Sequence, residues 1–279
     1  MNKIIPKIEF FMQSLFVQQE FCPHCKSHKL KTVAKKYRVI KIQHCDDCGL
    51  FFTSPIYKSW LISDFYNKAY IGGQGLTTDI PTSEKLSELI KQEFRGSDKY
   101  FGNRITSLVA FSKGLNLLEI GSSWGYFIYQ AQLQGFNATG IEISDTRREF
   151  GKENLGVRML KHISELKSRK FDIIYTAHTL EHFTDLSSIF VDISDHLKVG
   201  GKLVIEVPNF DFFADGNSVL PIIGAVHPMG FCSDFFQRNL PKYGLKILGF
   251  FDGWEKFPNE KVCSSTGGIV LLVAEKIVI

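Results

Sequence analysis

The stretch that decides the fold is Leu118-Glu119-Ile120-Gly121-Ser122-Ser123-Trp124-Gly125-Tyr126-Phe127. Its first three residues close the apolar run Leu115 to Ile120, and a short apolar run stopped by glycine reads as a buried parallel strand. Gly121 allows a tight turn, and Gly125 lets backbone approach a ligand closely where a helix from Tyr126 to Leu133 begins. A dinucleotide site asks for G-x-G-x-x-G, with the third glycine used for packing. The spacing here is G-x-x-x-G, which weakens a dinucleotide reading.

Strand and helix alternate downstream. The sequence predicts strands over Ala138 to Ile143, Val157 to Leu160, Phe171 to Ala177 and Lys202 to Val207. Gly200-Gly201 turns the chain into the last of these, and Pro208 stops it. Helices are predicted over Asp145 to Asn154, capped by Asp145, over Leu186 to Leu197, and over Ser233 to Lys242, capped by Ser233 or Asp234. Leu245 to Phe250 and Gly268 to Ala274 supply two final strands. Alternation of this kind gives a doubly wound α/β sheet whose ligands bind beyond the carboxyl ends of the strands. At the tip of the second strand, Glu142 is placed to accept hydrogen bonds from both hydroxyls of an unphosphorylated ribose.

Upstream the texture changes. Three segments are expected: 1–55, holding an N-terminal stretch and a cysteine module; 56–110, a helical connection with the loop Gly72-Gly73-Gln74-Gly75; and 111–279, the α/β domain. Cys22-Pro-His-Cys25 and Cys45-Asp-Asp-Cys48 repeat one spacing across about twenty residues, and that pattern reads as a tetrathiolate zinc site. Four thiolates leave no open position, so the expected role is structural. Cys232 and Cys263 read as ordinary thiols.

With 33 basic and 29 acidic residues the net charge is +4, too diffuse to argue for nucleic acid. No apolar run reaches the ~18 residues that span a bilayer. Met1 to Phe21 lacks a signal-peptide cleavage site and reads as an amphipathic helix packed on the domain or on a second subunit, so a homodimer stays open and the expected address is cytoplasmic.

E-I-G-x-x-x-G-Y-F, then G-I-E-I-S, F-D-I-I-Y-T-A-H-T-L-E-H and L-K-V-G-G-K-L-V-I-E-V-P-N resemble, in order, the motif series of class I S-adenosylmethionine-dependent methyltransferases. The resemblance covers Leu115 to Ile279. It implies a Rossmann-like, mostly parallel sheet of seven strands with an antiparallel last strand, and S-adenosylmethionine as cofactor. Glu119, Gly121, Ser122, Gly125, Tyr126 and Phe127 would wrap its methionine portion, and Glu142 with Ile143 would take the ribose. His162 and Ile163, after the third strand, would flank adenine, with Ala177 at the end of the fourth; many relatives carry Asp where His162 stands. C-x-x-C…C-x-x-C-G-L-F-F-T-S-P, followed by Asp64-Phe65-Tyr66 and Tyr70, is similar to bacterial methyltransferases with an N-terminal zinc ribbon. Many of those act on sugars, including nucleotide-linked sugars and surface-polysaccharide precursors.

After the fourth strand come His178-Thr179-Leu180-Glu181-His182, and His227 follows between the fifth strand and the next helix. On a helix His178, Glu181 and His182 share one face at i, i+3 and i+4. A histidine among them suits the removal of a hydroxyl proton. H-x-x-E-H with a later His also resembles the metal-holding E-x-x-E-H…H of small-RNA 2′-O-methyltransferases and the E-x-x-E-H of ubiquinone-pathway O-methyltransferases. A purely structural use is the third reading. The leading expectation is methylation of a sugar hydroxyl by a histidine base, with a small-molecule or glycan substrate. RNA methylation and metal-dependent O-methylation are the alternatives.

Overall fold

The computed structural model describes residues 19–36, 38, 40–56, 79–211, 223–224 and 227–278. The expected N-terminal helix, the loop Gly72 to Gly75, Tyr66 and Tyr70 lie outside the described residues. Seven strands form one sheet: β4 (Asn116–Ile120), β5 (Asn137–Ile141), β6 (Met159–Leu160), β7 (Phe171–Ala177), β8 (Leu197–Pro208), β10 (Leu245–Phe251) and β11 (Ile269–Lys276), in the order β10-β11-β8-β7-β4-β5-β6. β4 runs parallel to β5 and β7, β5 parallel to β6, and β10 antiparallel to β11. The α/β Rossmann-like sheet, mostly parallel with an antiparallel last strand, is therefore present as expected. Among the described residues no helix is long and apolar enough to cross a membrane.

A second sheet carries β1 (Leu30–Lys36), β2 (Ile40–Cys45), β3 (Phe51–Ser54) and β9 (Met229–Gly230), paired in that order. The hairpin of the cysteine module thus recruits two residues from far along the chain: Phe51 sits opposite Gly230 and Phe52 opposite Met229.

The chain divides into two compact units. One comprises residues 63–176 and 195–204, with helices α1 (Ser83–Lys91), α2 (Gly102–Phe111), α3 (Tyr126–Leu133) and α4 (Asp145–Leu155). Leu117, Leu118 and Ile120 of β4 and Ile173 and Ile174 of β7 are fully buried, which is why these strands read as near-continuous apolar runs. The other comprises residues 1–62, 177–194 and 205–279, with most of α5 (Leu186–His196) and all of α6 (Ser233–Asn239). Its core is aromatic: Phe190, Phe231, Phe235 and Phe236 are buried with ring centroids 5.1–6.3 Å apart. Much of the phenylalanine in this chain is packing material.

Several local expectations differ from what forms. The cap of α4 is Ser144, whose hydroxyl accepts from Arg147 N–H; Asp145 is the first helical residue and instead pairs with Arg148 and with Lys161. An acid is favourable in either position because the helix N-terminus carries partial positive charge. Cys232, not Ser233 or Asp234, precedes α6, without a side-chain cap bond, and that helix ends at Asn239 before a 3₁₀ turn over Leu240–Tyr243. Gly200 and Gly201 lie inside β8, which starts at Leu197, rather than ahead of it. The third strand shrinks to Met159–Leu160.

Candidate functional site

In the first unit, the loop between β4 and α3 is wound by three left-handed residues: Gly121 at φ +84°, Ser123 at +50° and Gly125 at +84°. Gly121 and Ser122 N–H both donate to Ile141 O at 2.9 Å, tying the loop to the end of β5. Glu142, just past β5, accepts Ser123 N–H at 2.9 Å on one oxygen and Ser144 N–H at 2.8 Å on the other. Its carboxylate is thereby fixed, with a lone pair left on each oxygen. Burial pushes its pKa upward.

Glu119 at the end of β4 is more extreme. It is 7 % exposed, and its pKa is raised to about 8, chiefly by desolvation, with the nearby Glu142 charge adding to the effect. Glu119 Oε2, Ser123 Oγ and Trp124 Nε1 are buried without a hydrogen-bond partner among the described residues. Three orphaned polar atoms, one at the end of β4 and two on the loop that follows it, are costly unless something meets them. A polar ligand at the loop would do so, and S-adenosylmethionine, with its amino-acid and ribose groups, fits that demand.

Other residues expected around this ligand are placed as follows. Tyr126 is half-buried beside Trp124, and Phe127 is buried against Tyr175 at 4.7 Å between ring centroids. Ser122 is buried, its hydroxyl donating to Glu119 O at 3.0 Å. Ile143 is exposed and Ile163 buried. His162 is exposed on the turn after β6, its N–H donating to Glu165 at 2.8 Å. Gly125 also clears space for packing: a Cβ there would come within 2.7 Å of Val157 Cγ2 and 3.1 Å of Met159 Sδ.

In the second unit the H-T-L-E-H segment forms only a 3₁₀ turn, Leu180–His182, entered through Ala177 and through His178 at φ +48°. A long helix does not form, so the expected single face breaks up. Glu181, His182 and His227 come together, with their ligand atoms all within 4.8 Å of one another, and the two imidazoles meet at 4.5 Å between centroids. His178 stays outside that trio. Its Nε2 lies 3.2 Å from Glu206 Oε1, and its Nδ1 is 3.8 Å from Glu181 Oε1. Glu181 is wholly buried, and desolvation raises its pKa to about 7, opposed by His178. Glu206 and Trp254, which donates its indole N–H to Glu206, were not expected. The available signal was one acid near the carboxyl end of a strand that is otherwise apolar, V-I-E-V.

The cysteines also lie in this unit. Cys22 N–H donates to Ser27 O and Lys26 N–H to Cys22 O, while Cys45 N–H donates to Leu50 O and Gly49 N–H to Cys45 O, which curls both knuckles tightly. The four Sγ atoms lie within 4.8 Å of one another, with Cys22–Cys48 at 3.6 Å and Cys25–Cys45 at 3.5 Å. A tetrahedral ion with sulfur ligands at ~2.3 Å has edges of ~3.8 Å, so the cluster has the dimensions for one such ion. Cys22 is held down at about 5 by the Cys48 thiol, and burial pushes Cys45 up to about 11. Asn239 Nδ2 donates to Cys48 O at 2.9 Å and to Phe235 O at 2.7 Å, and His24 Nδ1 lies 3.2 Å from Ser187 Oγ. The module is thus bonded into α5 and α6.

Residues 91–244, more than half of the chain, match a family model described as a methyltransferase domain. Ubiquinone biosynthesis O-methyltransferases of Rickettsia canadensis and Rickettsia felis are 29% and 28% identical to it over 119 residues, 40% of this chain and 50% and 48% of theirs. The chain therefore spans about half the length of these curated relatives. Among solved structures, an S-adenosylmethionine-dependent methyltransferase from Clostridium acetobutylicum aligns at TM-score 0.52 and 14% identity, covering 71% of this chain and 100% of that one. The CcbJ methyltransferase from Streptomyces caelestis aligns at 0.52 and 13%, covering 65% and 97%. At such identities the likeness is one of fold.

Proposed function

The chain belongs to the methyltransferase-domain family, and on that premise we propose that it transfers a methyl group from S-adenosylmethionine to a hydroxyl oxygen of a small-molecule acceptor. The observation that carries the oxygen chemistry is the trio Glu181, His182 and His227, brought within 4.8 Å from two separate stretches of chain. The O-methyltransferases among its relatives support the same choice.

When bound, S-adenosylmethionine supplies an electrophilic methyl group on a sulfonium sulfur. Glu142, fixed by two backbone N–H groups, accepts the ribose hydroxyls, and the β4–α3 loop with Glu119 holds the amino-acid end. His182 or His227 takes the proton that the acceptor hydroxyl loses, an effect typically worth about 10²–10⁴ in rate. Glu181 orients the imidazole it faces. Cys22, Cys25, Cys45 and Cys48 hold a structural zinc ion.

A second reading rests on the same trio. Two imidazoles and a carboxylate within ligand distance of one another also suit a divalent ion, and the Glu181 Oε2 left buried without a partner is what such an ion would meet. Imidazole ligands favour zinc, iron, nickel or copper over magnesium. An ion there would polarise the acceptor oxygen.

Methyl transfer from labelled S-adenosylmethionine to nucleotide sugars, to catechol and to RNA, with and without chelator, tests both readings. Product with a new O-methyl group that persists in chelator and falls in His182→Ala or His227→Ala supports the base. Activity lost to chelator and restored by a divalent transition metal supports the ion. No transfer to any oxygen in these arms, with transfer to nitrogen instead, overturns the proposal. The nucleotide-sugar arm carries the sugar expectation, and the catechol arm the likeness to the ubiquinone enzymes.

A further inference from the structure

His227 stands directly before Pro228, and a residue ahead of proline is steered out of the helical region into extended backbone. The chain that follows is gripped from two sides. On one side is β3 of the cysteine module: Thr53 N–H donates to Pro228 O at 2.9 Å, Phe51 lies opposite Gly230, and Phe52 opposite Met229. On the other is the end of β8: Phe210 N–H donates to Phe231 O at 2.8 Å, and Asn209 bridges to Phe231. Asn209 is itself fixed, its N–H donating to Gly268 O and its side-chain amide to Ser265 O and Gly267 O. Ahead of this strap, Gly224 N–H donates to His227 O at 3.0 Å and closes a turn. β9 lies against the 3₁₀ turn that carries Glu181 and His182.

One glycine makes the grip possible. Gly230 is not left-handed, so backbone freedom is not what it supplies. A Cβ there would meet three carbons of the Phe210 ring at 2.4–2.6 Å, and that ring is buried, with Phe51 5.5 Å away between centroids. In so close-packed a place β9 and Phe210 can meet only while residue 230 has no side chain. We propose that the cysteine module helps to assemble the trio: β3, together with Asn209 and Phe210, clamps Pro228 to Phe231, and the clamp places His227 beside Glu181 and His182. Thr53, through its N–H, and Gly230, through the space it leaves, are positioning residues. The ladder thus joins the module to the stretch that leads out of a trio histidine, whereas the bonds from Arg238 to Asp46 O and from Asn239 to Cys48 O hold it to α6. The inference rests on the reading of the trio as the place where the acceptor oxygen is activated.

Two perturbations open the clamp from opposite sides and leave Cys22, Cys25, Cys45 and Cys48 in place. Thr53→Pro removes the N–H given to Pro228 O, and proline has no donor to replace it. That N–H is directed to the strap and not to β2, so the ladder between β2 and β3 keeps its bonds. Gly230→Ala drives a Cβ into the Phe210 ring. Gly230→Ala with Phe210→Val removes the three ring carbons in the way and lets the strap close again. A loss of packing alone would deepen in that double variant, because a smaller core side chain leaves a cavity.

The test is the nuclear Overhauser contact between the rings of His182 and His227, whose centroids lie 4.5 Å apart, in deuterated, histidine-labelled, zinc-loaded full-length protein. The two rings are assigned by their absence in His182→Ala and His227→Ala. The wild type should show the contact, Thr53→Pro and Gly230→Ala should lose it with zinc content unchanged, and Gly230→Ala with Phe210→Val should regain it. In both single variants kcat for methyl transfer to whichever of catechol or nucleotide sugar accepts it should fall about 100-fold, as when a reacting group is misplaced by about 1 Å. It should recover in part in the double variant, and cofactor affinity should stay near the wild-type value throughout. No ring contact in the wild type overturns the proposal without recourse to any variant. A contact that survives both single substitutions overturns it too, as does a loss that Phe210→Val fails to restore. If Thr53→Pro does not fold, the Gly230→Ala pair decides alone. Lost contact with unchanged turnover overturns the part assigned to the clamp in the reaction. The trio is tested separately by His227→Ala: full activity there refutes the reading of the reaction, whereas the ring-contact result stands independently of it.

Discussion

Glu119 offers the sharpest perturbation. Its carboxyl is buried in the free protein and titrates near 8 instead of its ordinary 4.5, so at pH 7 roughly nine molecules in ten carry it protonated. S-adenosylmethionine brings an ammonium to the loop, and a cation there favours the ionised carboxylate. Binding should therefore expel about 0.9 proton at pH 7, and the Glu119 contribution should raise affinity about tenfold between pH 7 and pH 9, or about 1.4 kcal/mol. The assay is calorimetric titration at pH 7 in buffers of different ionisation enthalpy, repeated across the pH range. Glu119→Gln keeps the shape and removes this titration, and it also subtracts the titration of the ligand's own α-amino group. The sign for stability runs the opposite way. A folded pKa raised above the unfolded one means that the free wild type loses stability as pH climbs from about 4.5 through about 8, and the variant should lose less over that window. Identical proton release and identical pH dependence of affinity in wild type and Glu119→Gln would refute the argument.

The cysteine cluster should yield one zinc per chain by elemental analysis, and chelation should expose β1 to β3 to proteolysis, since a ribbon of this size has little core of its own; protease resistance unchanged by metal loss would contradict that. Gly125→Ala places a Cβ at φ +84° and within 2.7 Å of Val157, and should cost about 1–3 kcal/mol in denaturant unfolding, where an unchanged midpoint would show the strain argument wrong. Asn239→Ala strips the carbonyls of Cys48 and Phe235 of a buried donor and should cost about 1–3 kcal/mol with zinc bound. A loss under half of that would mean that water replaces the amide.

Local pattern carried the sheet well. Phe171 to Ala177 and Tyr126 to Leu133 form over the predicted spans, because a buried parallel strand leaves a continuous apolar run and a core-facing helix a largely apolar stretch, each written in a few adjacent residues. The loop Gly121 to Gly125 and the two cysteine pairs were legible for the same reason: their spacing is short and their chemistry narrow. Pairings across distance left no such record. Nothing in Phe51-Phe52 announces Met229-Gly230, nor does Glu206 announce Trp254. The histidine segment shows the limit from another side. Read as a helix it aligns His178 with Glu181 and His182, but His178 takes a left-handed conformation in order to meet Glu206, a buried partner invisible to any local rule. Ser144 beside Asp145 illustrates a smaller ambiguity, since both residue types suit a helix start and only backbone geometry decides between them.

The central claim is that the loop after β4 and the acid after β5 hold S-adenosylmethionine. Calorimetric titration of zinc-loaded protein with S-adenosylmethionine and with its demethylated product tests it directly. The account predicts one site per chain for each, weakened in Glu142→Ala by the loss of two charge-assisted hydrogen bonds of about 1.5–3 kcal/mol apiece. The absence of a saturable site for either compound, or an affinity unchanged in Glu142→Ala, would contradict it.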